Sequence, residues 1–87
     1  MSDTREMRCK RLLHRSRYRG TKESDLLFGR FAAVHLASLD DVQLGRYEAL
    51  LDEPDQDVLA WVYGRSPLPA RHDHDVFGLL RAFQPTA

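Results

Sequence analysis

Apolar residues recur at helical spacing in four of the five segments of this 87-residue chain, and no stretch alternates with a period of two. That pattern excludes a sheet-based fold and leaves short helices packed on one another. Glycines and prolines punctuate the periodic stretches. Gly20, Pro54, Gly64, Pro67, Pro69 and Pro85 fall where a helix has to stop. No internal repeat and no long linker divides the chain, so residues 1–87 read as one domain, with 1–5 a disordered N-terminal extension. The predicted fold class is all-α, a compact five-helix bundle.

The first helix is predicted over about 6–18. At about 100° per residue, Cys9, Leu12, Leu13 and Ser16 share one arc. Arg8, Arg11 and Arg15 fall opposite, with Tyr18 beside Arg11. Thr21 is expected to cap a second helix running to about Ala37, with Glu23 in its first turn. Apolar residues from Leu26 to Leu36 cover most of its circumference, which places it in the middle of the bundle. Arg30 and His35 are expected to reach solvent along their stems. Asp40 and Gln43 form a capping box for the third helix, with Leu39 and Leu44 as its hydrophobic staple. Leu44, Tyr47, Leu50 and Leu51 share its inner face, and Pro54 ends it. Asp55 is expected to cap a fourth helix containing Val58, Leu59, Trp61 and Val62. A loop covers 65–69, and a last helix from about Asp73 gathers Val76, Leu79, Leu80 and Phe83. Tyr47 and Trp61 share faces with aliphatic residues and read as core.

Thirteen Lys and Arg balance thirteen Asp and Glu, but unevenly. Residues 1–30 hold nine bases and four acids, whereas residues 31–87 hold four bases and nine acids. A basic head beside an acidic body is either a polar binding surface or two halves that attract each other. The lone Cys9 excludes a disulfide framework and a Cys-only zinc site, and its apolar face makes it a buried, inert thiol. No apolar run approaches the length of a membrane span, so no membrane insertion is expected. The stretch Met1–Glu6 lacks an apolar signal core and carries acids, unlike a transit peptide.

Catalytic patterns are scarce. There is no Gly-rich phosphate loop, nucleophile elbow or two-His helix motif. The cluster His72-Asp73-His74-Asp75 has metal-compatible side chains, yet its histidines diverge by about 200° on a helix. The plainer reading is an acidic helix start with solvated histidines, so no catalytic residue and no metal site is assigned. Arg8, Arg11, Arg15, Arg17 and Arg19, with Tyr18, could contact phosphates and stack on a base. A neutral chain is unlike a nucleic-acid binder, and a protein–protein surface fits Arg and Tyr better. The turn Arg19-Gly20-Thr21-Lys22-Glu23 sets a cation, an unhindered backbone and a carboxylate at one exposed corner. Gly20 is expected to have positive φ. The residues alone leave open whether this corner is a structural joint or a recognition surface.

Arg-Gly-x-x-Glu between a basic helix and an apolar one resembles the signature of the small flavinylation factors of succinate dehydrogenase. Lys10 to Leu27 resembles that family's N-terminal block. Tyr47 to Trp61 resembles its second block, in which the pair Leu50-Leu51 precedes Pro54-Asp55 and then Trp61. The closing Val76, Leu79, Leu80 and Phe83 also fit, so the likeness runs from about residue 8 to 84. Many bacterial members have two arginines before the glycine, whereas position 18 here is tyrosine.

The resemblance implies a five-helix bundle that binds the flavoprotein subunit of succinate dehydrogenase, in some members also that of fumarate reductase. It implies an assembly factor rather than an enzyme, one that promotes covalent attachment of FAD to a histidine of that subunit. The cofactor belongs to the partner, and the chain has none of its own. Arg19, Gly20 and Glu23 inherit the contact role, with Arg11, Arg15 and Tyr18 as further partner-binding candidates. Arg19 has no evident intrahelical partner, so it and Glu23 are both expected to be dispensable for folding. The expected state is a monomer in the bacterial cytoplasm. The rival readings are a generic helical adaptor and a weak nucleic-acid binder using the first helix.

Overall fold

Four of the five helices begin on a side chain that accepts an otherwise unpaired N–H of the first turn. The computed structural model describes residues 4–83. Thr4 caps α1 (Arg5–Arg17), its Oγ1 accepting from Met7 N at 3.1 Å. Thr21 caps α2 (Lys22–His35), accepting from Ser24 N at 3.2 Å. The predicted capping box opens α3 (Asp41–Leu51): Asp40 Oδ1 accepts from Gln43 N at 2.8 Å and Gln43 Oε1 from Asp40 N at 2.9 Å. Then come α4 (Asp55–Val62) and α5 (Asp75–Ala82). Short 3₁₀ turns at Leu36–Ser38 and Ala70–His72 complete the order. Among the described residues the architecture is all-α, the five-helix bundle that the apolar spacing predicts.

α1 packs on α2 and α3, and α3 packs on α5. Tyr47 sits where these elements meet and is fully buried. Its ring stacks on Phe31 with centroids 5.4 Å apart. Ser16 Oγ donates to Leu12 O at 2.7 Å, which leaves the Tyr47 phenol to donate to Ser16 Oγ at 2.7 Å. Burial pushes the phenol far above its ordinary value, so it serves as a neutral donor. Trp61 is also buried, its ring 5.3 Å from that of His72. Gly64, at φ +72°, closes α4 as expected.

Several expectations need correction. α2 is not buried all round: Val34 is 63% exposed, and Leu26 and Ala33 also face outward. Its neighbours cover only the Leu27, Phe28 and Phe31 side, because so small a bundle leaves each helix one uncovered face. His35 does not reach out along its stem but lies half-buried, its ring 4.6 Å from Phe31. Cys9 is half-buried rather than buried, and Leu79 is partly exposed. Pro54, not Asp55, is the N-cap of α4; the Asp55 carboxylate is engaged elsewhere. α5 starts at Asp75, capped by His74. Of the extension expected at 1–5, residues 1–3 lie outside the described residues, whereas Thr4 and Arg5 form the head of α1.

Part of the charge asymmetry is consumed within the molecule. Arg5 pairs with Asp41 at 3.4 Å and also donates to Leu39 O. Arg8 pairs with Glu48 at 3.4 Å, and Arg15 with Asp52 at 2.7 Å. The basic side of α1 thus lies along the acidic side of α3. Such partly exposed pairs each contribute about 0–1 kcal/mol, so they align the helices more than they hold them.

The core assignment makes Trp61 a stability residue. Trp61→Ala is expected to cost about 3–5 kcal/mol and to lower the melting temperature followed by circular dichroism. The same truncation at exposed Met7 should stay within about 0.5 kcal/mol of the parent.

Candidate functional site

The chain reverses between α1 and α2 at Gly20, whose φ is +112°. A Cβ there would meet nothing within 4 Å, so the need for glycine is conformational rather than steric, and the positive φ matches the expectation. Asp25, one turn into α2, folds back over the corner. Its Oδ1 accepts from Arg19 N at 2.5 Å and from Gly20 N at 3.3 Å. Thr21 and Ser24 hydroxyls meet at 2.5 Å, and Ser24 Oγ donates to Asp55 Oδ2 at 3.0 Å.

Arg19 does not point outward as its lack of an intrahelical partner suggested. The side chain is 10% exposed and turns inward across the α3–α4 turn. Its Nε donates to Asp55 Oδ1 at 2.8 Å, Nη1 to Leu51 O at 2.8 Å and Nη2 to Glu53 O at 3.2 Å. The guanidinium also lies over the Phe28 ring, 5.3 Å from its centroid. The physical reason is the end of α3, whose last carbonyls lack helical partners and draw a planar fork of donors. One guanidinium therefore closes the end of α3 and grips the start of α4.

What faces outward at the corner is different. Glu23 is exposed and takes no hydrogen bond or ion pair among the described residues. Tyr18 is 72% exposed, its ring 4.7 Å from that of His14. Arg15 is engaged by Asp52 and, at 3.8 Å, by Glu48. Arg11 is exposed further along α1. The structure therefore brings Tyr18, Gly20 and Glu23 to one corner and leaves Arg11 and Arg15 on the flank. Sequence reasoning missed the α3–α4 turn as part of this site. Glu53, Pro54, Asp55 and Gln56 join Tyr18, Arg19 and Thr21 around an open groove of about 460 Å³.

The two candidate metal-ligating histidines are built into the fold rather than solvated. His72 is buried beneath Trp61, and its Nε2 meets Glu53 Oε2 at 2.7 Å. Arg71 Nη2 donates to the same oxygen at 2.7 Å. Hydrogen bonds from His72 and then Arg71 hold the Glu53 carboxyl below its ordinary range. His74 Nδ1 accepts from Phe77 N at 3.1 Å, the cap of α5. Desolvation first, then the nearby Arg46 and His72, lower the His74 pKa from its usual 6.5, while Asp75 opposes the shift. Gln43 and Arg46 both reach Asp75, at 2.9 and 2.8 Å, and hold its carboxyl low.

These contacts separate residues by their stability cost. Arg19→Ala strands a mostly buried carboxylate and two helix-end carbonyls, and is expected to cost about 3–5 kcal/mol in a thermal melt. Gly20→Val should cost about 1–2 kcal/mol from backbone strain alone. His74 works as a cap only while Nδ1 is unprotonated. Its folded pKa lies below the unfolded one, so the unfolded chain takes up the proton first and stability is lost as pH falls below about 6.5. His74→Asn retains a capping acceptor that does not titrate. Its melting temperature should therefore fall less than the parent's between about pH 7 and about pH 5.

Residues 10–84 match the family model described as flavinator of succinate dehydrogenase. The chain is 48% identical over 83 residues to succinate dehydrogenase assembly factor 2, mitochondrial, of Meyerozyma guilliermondii, covering 91% of this chain and 62% of that protein. It is 40% identical over 78 residues to the Aedes aegypti protein of the same name, covering 87% of this chain and 48% of that protein. The Dictyostelium discoideum protein of that name is 36% identical over 72 residues, covering 83% of this chain and 51% of the relative. The chain thus spans less than two thirds of the length of each of these relatives. Their names overturn the expected bacterial cytoplasmic location and point to mitochondria. That expectation rested on the first residues of a chain that spans only part of its relatives, which carry no information about a leader. A family match over nearly the whole chain, with identities of 36–48%, places this protein in the family of flavinators of succinate dehydrogenase.

Proposed function

We propose that this chain binds the flavoprotein subunit of succinate dehydrogenase and promotes covalent attachment of FAD to it without performing the flavin chemistry. The observation that carries the reading is the corner itself. Arg19, Ser24 and Asp25 are satisfied inside the molecule, while Glu23 stands exposed beside them with no partner among the described residues. An exposed carboxylate on a braced corner is what a docking contact requires. The flavin is assigned to the partner. The Arg19 and Gly20 N–H groups, which could otherwise meet a pyrophosphate, are taken by the Asp25 carboxylate, whose charge repels phosphate.

Attachment requires the flavin ring and the partner's histidine to be aligned, and developing negative charge on the flavin to be stabilised. A small bundle that binds the aligned arrangement of the flavoprotein better than its alternatives raises that population by the ratio of the two affinities. The rival nucleic-acid reading loses its footing because Arg8 and Arg15 on the basic side of α1 already face Glu48 and Asp52.

Glu23 tests the reading. As a first-turn acid it contributes only about 0.3–1 kcal/mol to α2, so Glu23→Ala should keep nearly the parent melting temperature. The same preparation should lose co-purification with the flavoprotein subunit and the covalent flavin seen by in-gel fluorescence. A Glu23→Ala protein that unfolds makes the corner a structural joint. One that stays folded and supports full attachment moves the contact surface to Arg11, Arg15 and Tyr18.

A further inference from the structure

We propose that Asp55 is a positioning residue for the flavoprotein contact: its carboxylate fixes the corner from both sides and so sets where Glu23 stands. This inference rests on the flavoprotein-binding reading above. Asp55 belongs to α4, remote in sequence from the corner. Its Oδ1 accepts from Arg19, the residue before Gly20, at 2.8 Å. Its Oδ2 accepts from Ser24, the residue after Glu23, at 3.0 Å. One carboxylate therefore ties together the exit of α1 and the entry of α2, and anchors both to the α3–α4 turn.

Three features make this tie a matter of geometry rather than of bulk packing. Asp55 and Arg19 are only 16% and 10% exposed, so solvent screens their attraction weakly. Charge-assisted bonds on both carboxylate oxygens fix direction as well as distance. Glu23 takes no hydrogen bond or ion pair among the described residues, so its position is inherited from Ser24 beside it and from Thr21, which caps the same turn. First turns of helices fray, and among the described residues the side-chain hydrogen bonds that join this turn to other parts of the corner are those of the Asp55 and Asp25 carboxylates. The same carboxylate stands on the wall of the groove shared by Tyr18 and Gln56. Asp55 thereby makes one rigid surface of two loops, and a partner that engages Glu23 meets the α3–α4 turn in fixed register.

The test is a double-mutant cycle on the full chain. Affinity for the isolated flavoprotein subunit is titrated for the parent, Asp55→Asn, Glu23→Ala and the double variant. Asn keeps the size of the side chain and one acceptor oxygen but loses the charge. Asp55→Asn is expected to weaken binding about tenfold in the parent background, and less than about twofold once Glu23 is already alanine. Amide hydrogen exchange on the free variant gives a readout independent of the partner. Ser24 and Asp25 N–H groups should exchange several-fold faster while that of Leu50 in the core does not change. Ser24→Ala, which removes one tie and leaves the Arg19 pair intact, should reproduce both patterns and replaces Asp55→Asn if that variant does not fold. Unchanged binding by the variants, or equal losses in both backgrounds, overturns the positioning role. So does faster exchange spread evenly over the molecule. A parent chain that fails to bind the subunit overturns the binding reading and any part Asp55 has in it, while the exchange pattern still reads whether Asp55 braces the corner.

Discussion

The Arg19–Asp55 pair is the interaction on which the rest of the surface depends. It is the least exposed of the arginine–carboxylate pairs described, and its guanidinium also serves two carbonyls at the end of α3. A charge so far from water persists only when it is paired and hydrogen-bonded. That condition is met here by Leu51 O, Glu53 O and the Asp55 carboxylate. Three loops converge as a result: the Gly20 corner, the end of α3 and the start of α4. By contrast, Arg5, Arg8 and Arg15 make longer or more exposed pairs along α1 and contribute alignment.

Much of the bundle was legible in the sequence because its signals are local. The Asp40/Gln43 capping box, the Thr21 cap and the glycine stops at Gly20 and Gly64 each involve neighbours within a few residues, and each appears in the structure. Periodicity likewise placed Tyr47 and Trp61 in the core. Other features depend on packing between distant segments. The apolar pattern of α2 could not reveal that Val34 faces solvent, because that depends on how many neighbours so small a chain can supply. Asp55 has the side chain of a cap for the fourth helix, yet its carboxylate is claimed by Arg19 and Ser24, which lie more than thirty residues upstream.

Arg19 shows the same limit at the site. Helical projection assigns directions only while the helix lasts, and α1 has ended at Arg17. Past that point the side chain follows the unmet carbonyls of α3, which no spacing rule in the first thirty residues contains. The charge count raised the correct alternative without deciding it. The basic head and the acidic body pair in part inside one molecule, so the exposed surface is less cationic than the first helix implies. The surface proposed for the partner consists chiefly of Glu23, Tyr18 and the groove beside Pro54 and Gln56. His72 and His74 are likewise absorbed into the fold, by Glu53 and by the first turn of α5.

The two residues of the Arg-Gly-x-x-Glu motif that carry charge thus divide their work, one inward and one outward. A crystal structure of this chain bound to the flavoprotein subunit tests that division most directly. The predicted result has the Arg19 guanidinium still on Asp55 and Leu51 O, with the Glu23 carboxylate accepting a hydrogen bond from the partner. A complex in which Arg19 has swung out onto the flavoprotein, breaking its pair with Asp55, or in which Glu23 remains open to solvent, would contradict it.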